Sequence, residues 1–326
     1  MTGTTSFEKA FDVEKIDEEN YVGKEPLKMP LKMARGVYGG HTCAQTLLVA
    51  IRSAPGLVPR SLHSYFLAPG NSNVPMRYKV MKLFDSRDSA SRYIEVHQNG
   101  RIRYTCTVSL VRPRSKDKPK SKYDIQDPFP GEIDRNASTS KVQHHTGFIL
   151  TSYNDKFLDY KLVPEEIEKH PTQRNLVFHH KINQDEPFSD RTNNYVALAD
   201  ISDSALLTTL ARVLHIPWNP TKDHPYLEYQ EERTALFALD LSINALHIYH
   251  YNAMSLDHHI YFHMDDFESF DPCASWLTSD VRYKRHSNNR TVVESSMYNS
   301  DGVCVATVVQ EGLVVFHQGI PELAKF

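Results

Sequence analysis

The apolar residues follow two rhythms, and each occurs twice. After Gly39-Gly40, residues Ala44, Leu47, Leu48 and Ile51 fall at i, i+3, i+4 and i+7, which makes one apolar helical face. Downstream, Gln98-Asn99-Gly100 signals a tight turn, after which Ile102, Tyr104, Cys106, Val108 and Leu110 alternate with Arg103, Thr105, Thr107 and Ser109. That period of two predicts a half-buried strand leaving a hairpin. Between helix and hairpin, LHSYFLAPG reads as a further strand.

The second half of the chain repeats this order. SDSALLTTLARVLH places Leu207, Leu210, Ala211 and Leu214 on one helical face, with Asp203 in the first turn and Ser202 or Asp203 as the N-cap. SLDHHIYFH, a strand opened by Ser255, stands where RSLHSYFLA stood. Asn299-Ser-Asp301-Gly302 replaces the Asn-Gly turn, and VCVATVVQEG mirrors RIRYTCTVSL. Two copies of a helix followed by antiparallel strands predict an α+β fold of two halves packed as an intramolecular pseudo-dimer. The intervening VRPRSKDKPKSKYDIQDPFPGEIDRNASTSK, rich in Pro, Lys, Asp and Ser, reads as a linker. The expected layout is therefore a first domain over 1–112, a linker over 113–145 and a second domain over 146–326.

Composition narrows the function. The 326 residues are 40% hydrophobic, which excludes a disordered chain, and 37 basic against 40 acidic side chains leave a net charge of −3. No global positive field exists to hold a nucleic acid. Cys43, Cys106, Cys273 and Cys304 are too scattered for a Cys-x-x-Cys pair or a disulfide framework, so a reducing compartment is expected. The N-terminus lacks the apolar core of a secretory signal, and no apolar run is long enough for a membrane span. The adjacent pairs His144-His145, His179-His180 and His258-His259 point to opposite faces of a strand, so no metal site is expected, and no cofactor is expected either. Nucleophile-elbow, phosphate-loop and dinucleotide fingerprints do not occur.

Three polar residues stand in suggestive places. Asp203 at a helix start either caps orphan N–H groups or acts as a base. Gln310 shares a strand face with Cys304, Ala306 and Val308, so an inward face would bury an amide that needs partners. Ser255 would supply a hydroxyl nearby. A carboxylate that accepts a proton from water, with a hydroxyl and an amide to orient that water, suffices for hydrolysis without a covalent intermediate. Backbone N–H groups of a helix start preceded by Gly39-Gly40 would serve a developing oxyanion.

Taken together, GVYGGHTCAQTL, LHSYFLAPG, QNGRIRYTCTVSL, ALADISDSALL, SLDHHIYFH and DGVCVATVVQEG resemble the acyl-CoA thioesterase II family, over about residues 35–112 and 195–316. The resemblance implies a double hot-dog, in which antiparallel sheets wrap long helices, and hydrolysis of fatty acyl-CoA to free fatty acid and coenzyme A. It also implies that Asp203, Ser255 and Gln310 activate and orient the water, and that Gly39, Gly40 and His41 lie where substrate binds. Many relatives carry Gln where this chain has His41. Two other readings are a hot-dog hydratase acting through His258 or His63, and a non-catalytic acyl-CoA-binding protein. The end, Ala324-Lys325-Phe326, resembles the Ser-Lys-Leu peroxisomal address, which implies an import receptor as partner and the peroxisomal matrix as location. A homo-oligomer is left open by the sequence, as is acyl chain length.

Overall fold

The computed structural model describes residues 6–30, 34–113, 123–130, 141–153, 157, 163–216, 247, 250–264, 266–267 and 270–316. The terminal tripeptide Ala324, Lys325 and Phe326 lies outside the described residues.

The first half runs α1 (Phe7–Phe11), β1 (Val13–Lys15), β2 (Asn20–Gly23), α2 (Gly39–Arg52), β3 (Val58–Phe66), β4 (Arg77–Asp85), β5 (Ser89–Gln98) and β6 (Arg101–Val111). The second runs β7 (Lys141–His145), β8 (Ile149–Tyr153), α3 (Pro164–Ile167), β9 (Asn175–Ile182), α4 (Thr192–Ile201), α5 (Leu210–Val213), β10 (Tyr251–Ser255), β11 (Asp257–Phe262), β12 (Leu277–Ser287), β13 (Arg290–Tyr298) and β14 (Cys304–Phe316). The strands of the described residues join one sheet in the order β1-β2-β4-β5-β6-β3-β11-β14-β13-β12-β9-β8-β7, with β10 also paired to β14.

Read outward from its centre, that order matches over six strands on each side, β3-β6-β5-β4-β2-β1 against β11-β14-β13-β12-β9-β8, with β7 and β10 as additions of the second half. β3 and β11 pair antiparallel, His63 opposite His259, and each is flanked by the last strand of its own half, β6 or β14. The pseudo-dimer predicted by the repeat is thus a single sheet with a two-fold seam. α2 and α4 pack against each other inside it. α2 is buried along nearly its whole length, and its buried Gln45 is satisfied by the Phe11 carbonyl at 3.1 Å and the Tyr78 hydroxyl at 2.5 Å.

The hairpins form as their residues dictate. Asn99 and Gly100 take φ of 53° and 71°, the left-handed pair that lets β5 turn into β6 in two residues. On β6, Tyr104, Cys106, Val108 and Leu110 are buried as predicted, while Ile102 beside the turn is exposed. Asn288 and Asn289 make the same left-handed turn between β12 and β13.

Three expectations are corrected. The helix expected over Ser202–His215 is broken into a single tighter turn, Leu207–Thr209, followed by α5, and the long helix of the second half is α4, which ends before it. α4 is buried all round from Asn193 to Ile201, so it carries no amphipathic period to read. Ala205, at φ 61°, stops continuation of the helix. Asp203 therefore follows the C-cap of α4, Ser202, instead of lying in a first helical turn. Ser255 closes β10 instead of opening a strand, because the register on β14 shifts by one residue between Ser255–Gly312 and His259–Val309 and β11 begins separately at Asp257. β7 lies within the stretch read as linker; it is an outermost strand, where a short polar sequence is compatible with pairing. Within the same stretch Gln126 is bonded to Gly302 O at 2.8 Å and to Cys304 N at 2.9 Å.

Candidate active site

At the end of α4 a side-chain hydroxyl and a backbone amide take the last carbonyls in a tight turn. Ser202 Oγ donates to Ala199 O at 2.8 Å, and the Ser204 backbone N–H to Ile201 O at 2.8 Å. The turn swings Asp203 toward the start of α2, where Gly40 N donates to its Oδ2 at 3.0 Å. Gly40 sits so close to α4 that a Cβ there would collide with the Asp200 carbonyl. The carboxylate does meet a helix N-terminus, but that of the other half.

β14 brings the amide. Ala306, Val308 and Gln310 all face inward, and Gln310 is fully buried. Its Nε2 donates to Asp203 Oδ1 at 2.7 Å and to Ser255 Oγ at 2.7 Å, so both amide hydrogens are used and the Asp, Ser and Gln side chains form one linked set. Ser255 reaches this point because β10 pairs with the far end of β14, Ser255 opposite Gly312.

Asp203 and Ser255 line a cavity of about 500 Å³ between the halves. The first half contributes Val37, Gly39, Phe66 and Tyr104, the second Leu207, Ala253 and Leu256, so its walls are mostly apolar. Arg35 and Arg103 also line it. Gln310 stands behind Asp203 and Ser255 and holds both. Burial pushes the Asp203 carboxyl up to about 7, against the opposing effect of its bonds from Gln310 and Gly40, and the Asp200 carboxylate adds to the rise. A carboxyl poised there is charged about half the time at neutral pH and retains proton affinity.

Of the other residues flagged by sequence, Gly39 lines the cavity and Gly40 is committed to Asp203, so its N–H is not free for an oxyanion. His41 is turned away, fully buried, with Nδ1 2.6 Å from Asp200 Oδ1. His258, pushed down to about 3 chiefly by burial, is bonded through Nε2 to Ser202 Oγ at 2.8 Å; His63 pairs with His259, their Nδ1 atoms 3.2 Å apart. Neither His258 nor His63 lines the cavity. Asp200 escaped the sequence reading, although a carboxylate inside the apolar run ALADI was a visible signal. Among the described residues there is no cluster of three or more His, Cys, Asp or Glu side chains able to hold a metal, and no helix long and apolar enough to cross a membrane.

Comparison with known proteins bears on this geometry. Residues 28–111 match the model of the acyl-CoA thioesterase N-terminal domain and residues 158–314 that of the acyl-CoA thioesterase C-terminal domain. The chain is 24% identical to the peroxisomal acyl-coenzyme A thioester hydrolase 1 of Saccharomyces cerevisiae, over 99% of this chain and 98% of that protein. It is likewise 24% identical to acyl-CoA thioesterase 2 of Haemophilus influenzae, over 87% and 89%. The crystal structure of an acyl-CoA thioesterase II from Mycobacterium marinum superposes with a TM-score of 0.65 at 21% identity, covering 96% of this chain and 98% of that one.

Proposed function

The chain belongs to the acyl-CoA thioesterase II family and is a thioester hydrolase of acyl-CoA, and on that premise we propose that Asp203 is its general base. The observation that carries this reading is the bridge made by Gln310, one amide nitrogen bonded to both Asp203 and Ser255 at the wall of an apolar cavity.

Water in contact with Asp203 and Ser255 attacks the thioester carbonyl carbon while Asp203 takes its proton. The C–S bond then breaks, the coenzyme A sulfur receives that proton from Asp203, and the fatty acid leaves. Ser255 accepts from Gln310, so its own hydrogen is available to fix the water or the carbonyl oxygen. The role of Gln310 is to hold base and hydroxyl in register. The amino end of α2, with Gly39 at the cavity wall, places the positive end of a helix dipole near the developing negative charge. Apolar walls suit an acyl chain and exclude bulk water. A hydratase acting through His258 or His63 lacks support, since neither reaches the cavity.

The two-domain layout is part of the same reading, supported by the seam of the sheet, with the second domain taken from β7 at Lys141 instead of from 146. So is a peroxisomal location: the tail Ala324-Lys325-Phe326 has the small-basic-apolar form of the import address, and the yeast relative is named as peroxisomal. Thiol release from a panel of saturated acyl-CoAs tests the activity and its dependence on Asp203; free thiol formed at an equal rate by Asp203→Asn refutes the mechanism.

A further inference from the structure

One buried pair of ionisable side chains beside Asp203 is unused in the reaction above. His41 lies in the first turn of α2 and Asp200 in the last turn of α4, 1% and 0% exposed, with Nδ1 and Oδ1 2.6 Å apart. Their outer atoms, His41 Nε2 and Asp200 Oδ2, have no hydrogen-bond partner among the described residues. Around the imidazole stand Phe11 of α1, Tyr38 before α2 and Phe148 beside β8, all edge-on, with the Lys28 ammonium over the Phe148 ring at 4.8 Å. A half-satisfied polar pair in such surroundings is a costly way to join two helices, and well-packed apolar side chains of similar volume would stabilise the contact at least as well. Its retention at this point asks for another reason.

The reason lies one residue away on one helix and one turn away on the other. Gly40, which donates to Asp203, immediately precedes His41; Asp203 follows Asp200 by three positions, around the end of α4. The clamp is closed by Tyr38, whose hydroxyl donates to Asp200 O at 3.2 Å, and by the close approach of Gly40 to the same carbonyl. Asp203 faces Tyr38, Gly40 and Cys43 from the side of α2, Asp200 from α4 and Gln310 from β14. Burial raises the Tyr38 and Cys43 protons well above their ordinary range, so Asp200 is the group there that contributes a like charge.

We propose that His41 and Asp200 are a positioning pair for the hydrolytic base: their contact ties α2 to α4 so that Gly40 meets Asp203. The Asp200 carboxylate, a like charge beside the base, adds to the larger effect of burial on the pH at which Asp203 accepts a proton. This inference rests on the assignment of Asp203 as the base. The pair never touches substrate; its effect passes through the two residues that do the holding and the accepting.

The test measures kcat and KM by thiol release across a pH series, with a melting curve for each variant, on the full chain. His41→Leu should lose about tenfold in kcat with KM nearly unchanged, and His41→Gln, which keeps a donor for Asp200, should restore most of that loss. Asp200→Asn should move the acid limb of kcat/KM to lower pH by about half a unit or more. If His41→Leu gives no cooperative melt, the double variant H41Q/D200N, which retains shape and hydrogen bonding without charge, carries the test, with the same acid-limb shift expected. An acid limb that superimposes on wild type in Asp200→Asn and in the double variant overturns the proposal while leaving Asp203 as base. Near-wild-type turnover by Asp203→Asn overturns both.

Discussion

The carboxylate of Asp203, just past the end of one central helix, accepts a hydrogen bond of 3.0 Å from the backbone N–H of Gly40, at the start of the other, across 163 positions of sequence. The site therefore exists only where the two halves meet, and changes on either side of that contact are expected to reach the chemistry.

Replacing Asp203 by Asn preserves acceptors for Gly40 and Gln310 but removes the group that takes the proton. Turnover should fall by roughly 10²- to 10⁴-fold, the usual worth of general-base assistance. Thiol release by the purified variant, with a melting temperature close to wild type, is the measurement. An unchanged rate would return Asp203 to the role of a hydrogen-bonding cap.

The raised Asp203 pKa has two pH consequences. Because the base works ionised, kcat/KM should rise with pH through about 7 and then level off, and this limb belongs to Asp203. For stability the sign is opposite. A carboxyl whose folded value lies above its unfolded one contributes stability that is present at low pH and is lost as pH rises through about 7. The Tm difference, wild type minus Asp203→Asn, should therefore decrease from about pH 5 to about pH 8, the comparison removing the opposite trend contributed by the depressed His258. A difference that stays flat would mean that Asp203 is not held in a dehydrating environment.

Gln310 spends both amide hydrogens on Asp203 and Ser255, so Gln310→Ala should release both and lower kcat with little change in KM. Ser255→Ala should act in the same direction and more mildly, since a water can replace the hydroxyl. Steady-state kinetics on one acyl-CoA decides: a raised KM at constant kcat would make either residue a substrate-binding group.

Deleting Ala324, Lys325 and Phe326 should leave hydrolysis unchanged in vitro and shift an N-terminal fluorescent fusion from peroxisomal puncta to diffuse cytosol. Puncta that persist would show that another signal or a carrier protein directs import, and lost activity would give the tail a structural role.

Much of this arrangement was legible in the chain. The alternation along Tyr104, Cys106, Val108 and Leu110 and the Asn99-Gly100 turn predicted the β5–β6 hairpin, because one face of that strand meets the core and the other does not. On β14 the same alternation put Gln310 on one face with Ala306 and Val308, and the structure turns that face inward. The second long helix did not follow, because α4 is enclosed on all sides and its sequence, TNNYVALADI, has no solvent face to set a period. The amphipathic signal of Leu207, Leu210 and Ala211 is real burial, yet it belongs to two short turns packed under the sheet. Nor could a linear reading find that Asp203 is received by Gly40, a contact created by packing one half on the other.

The seam also has an arithmetic. The sheet is two-fold in its strand order, but the ends of its two helices are not equivalent: the end of α4 delivers a carboxylate to the facing helix, whereas the end of α2, Ser53, is bonded by the buried guanidinium of Arg92 at 3.1 Å. A guanidinium accepts no proton from water at any physiological pH. With Asp203 as the proposed base, the described residues hold one such centre for the pair of hot-dog units, and a tight-binding, non-hydrolysable thioester analogue should titrate with a stoichiometry of one per polypeptide however many chains associate.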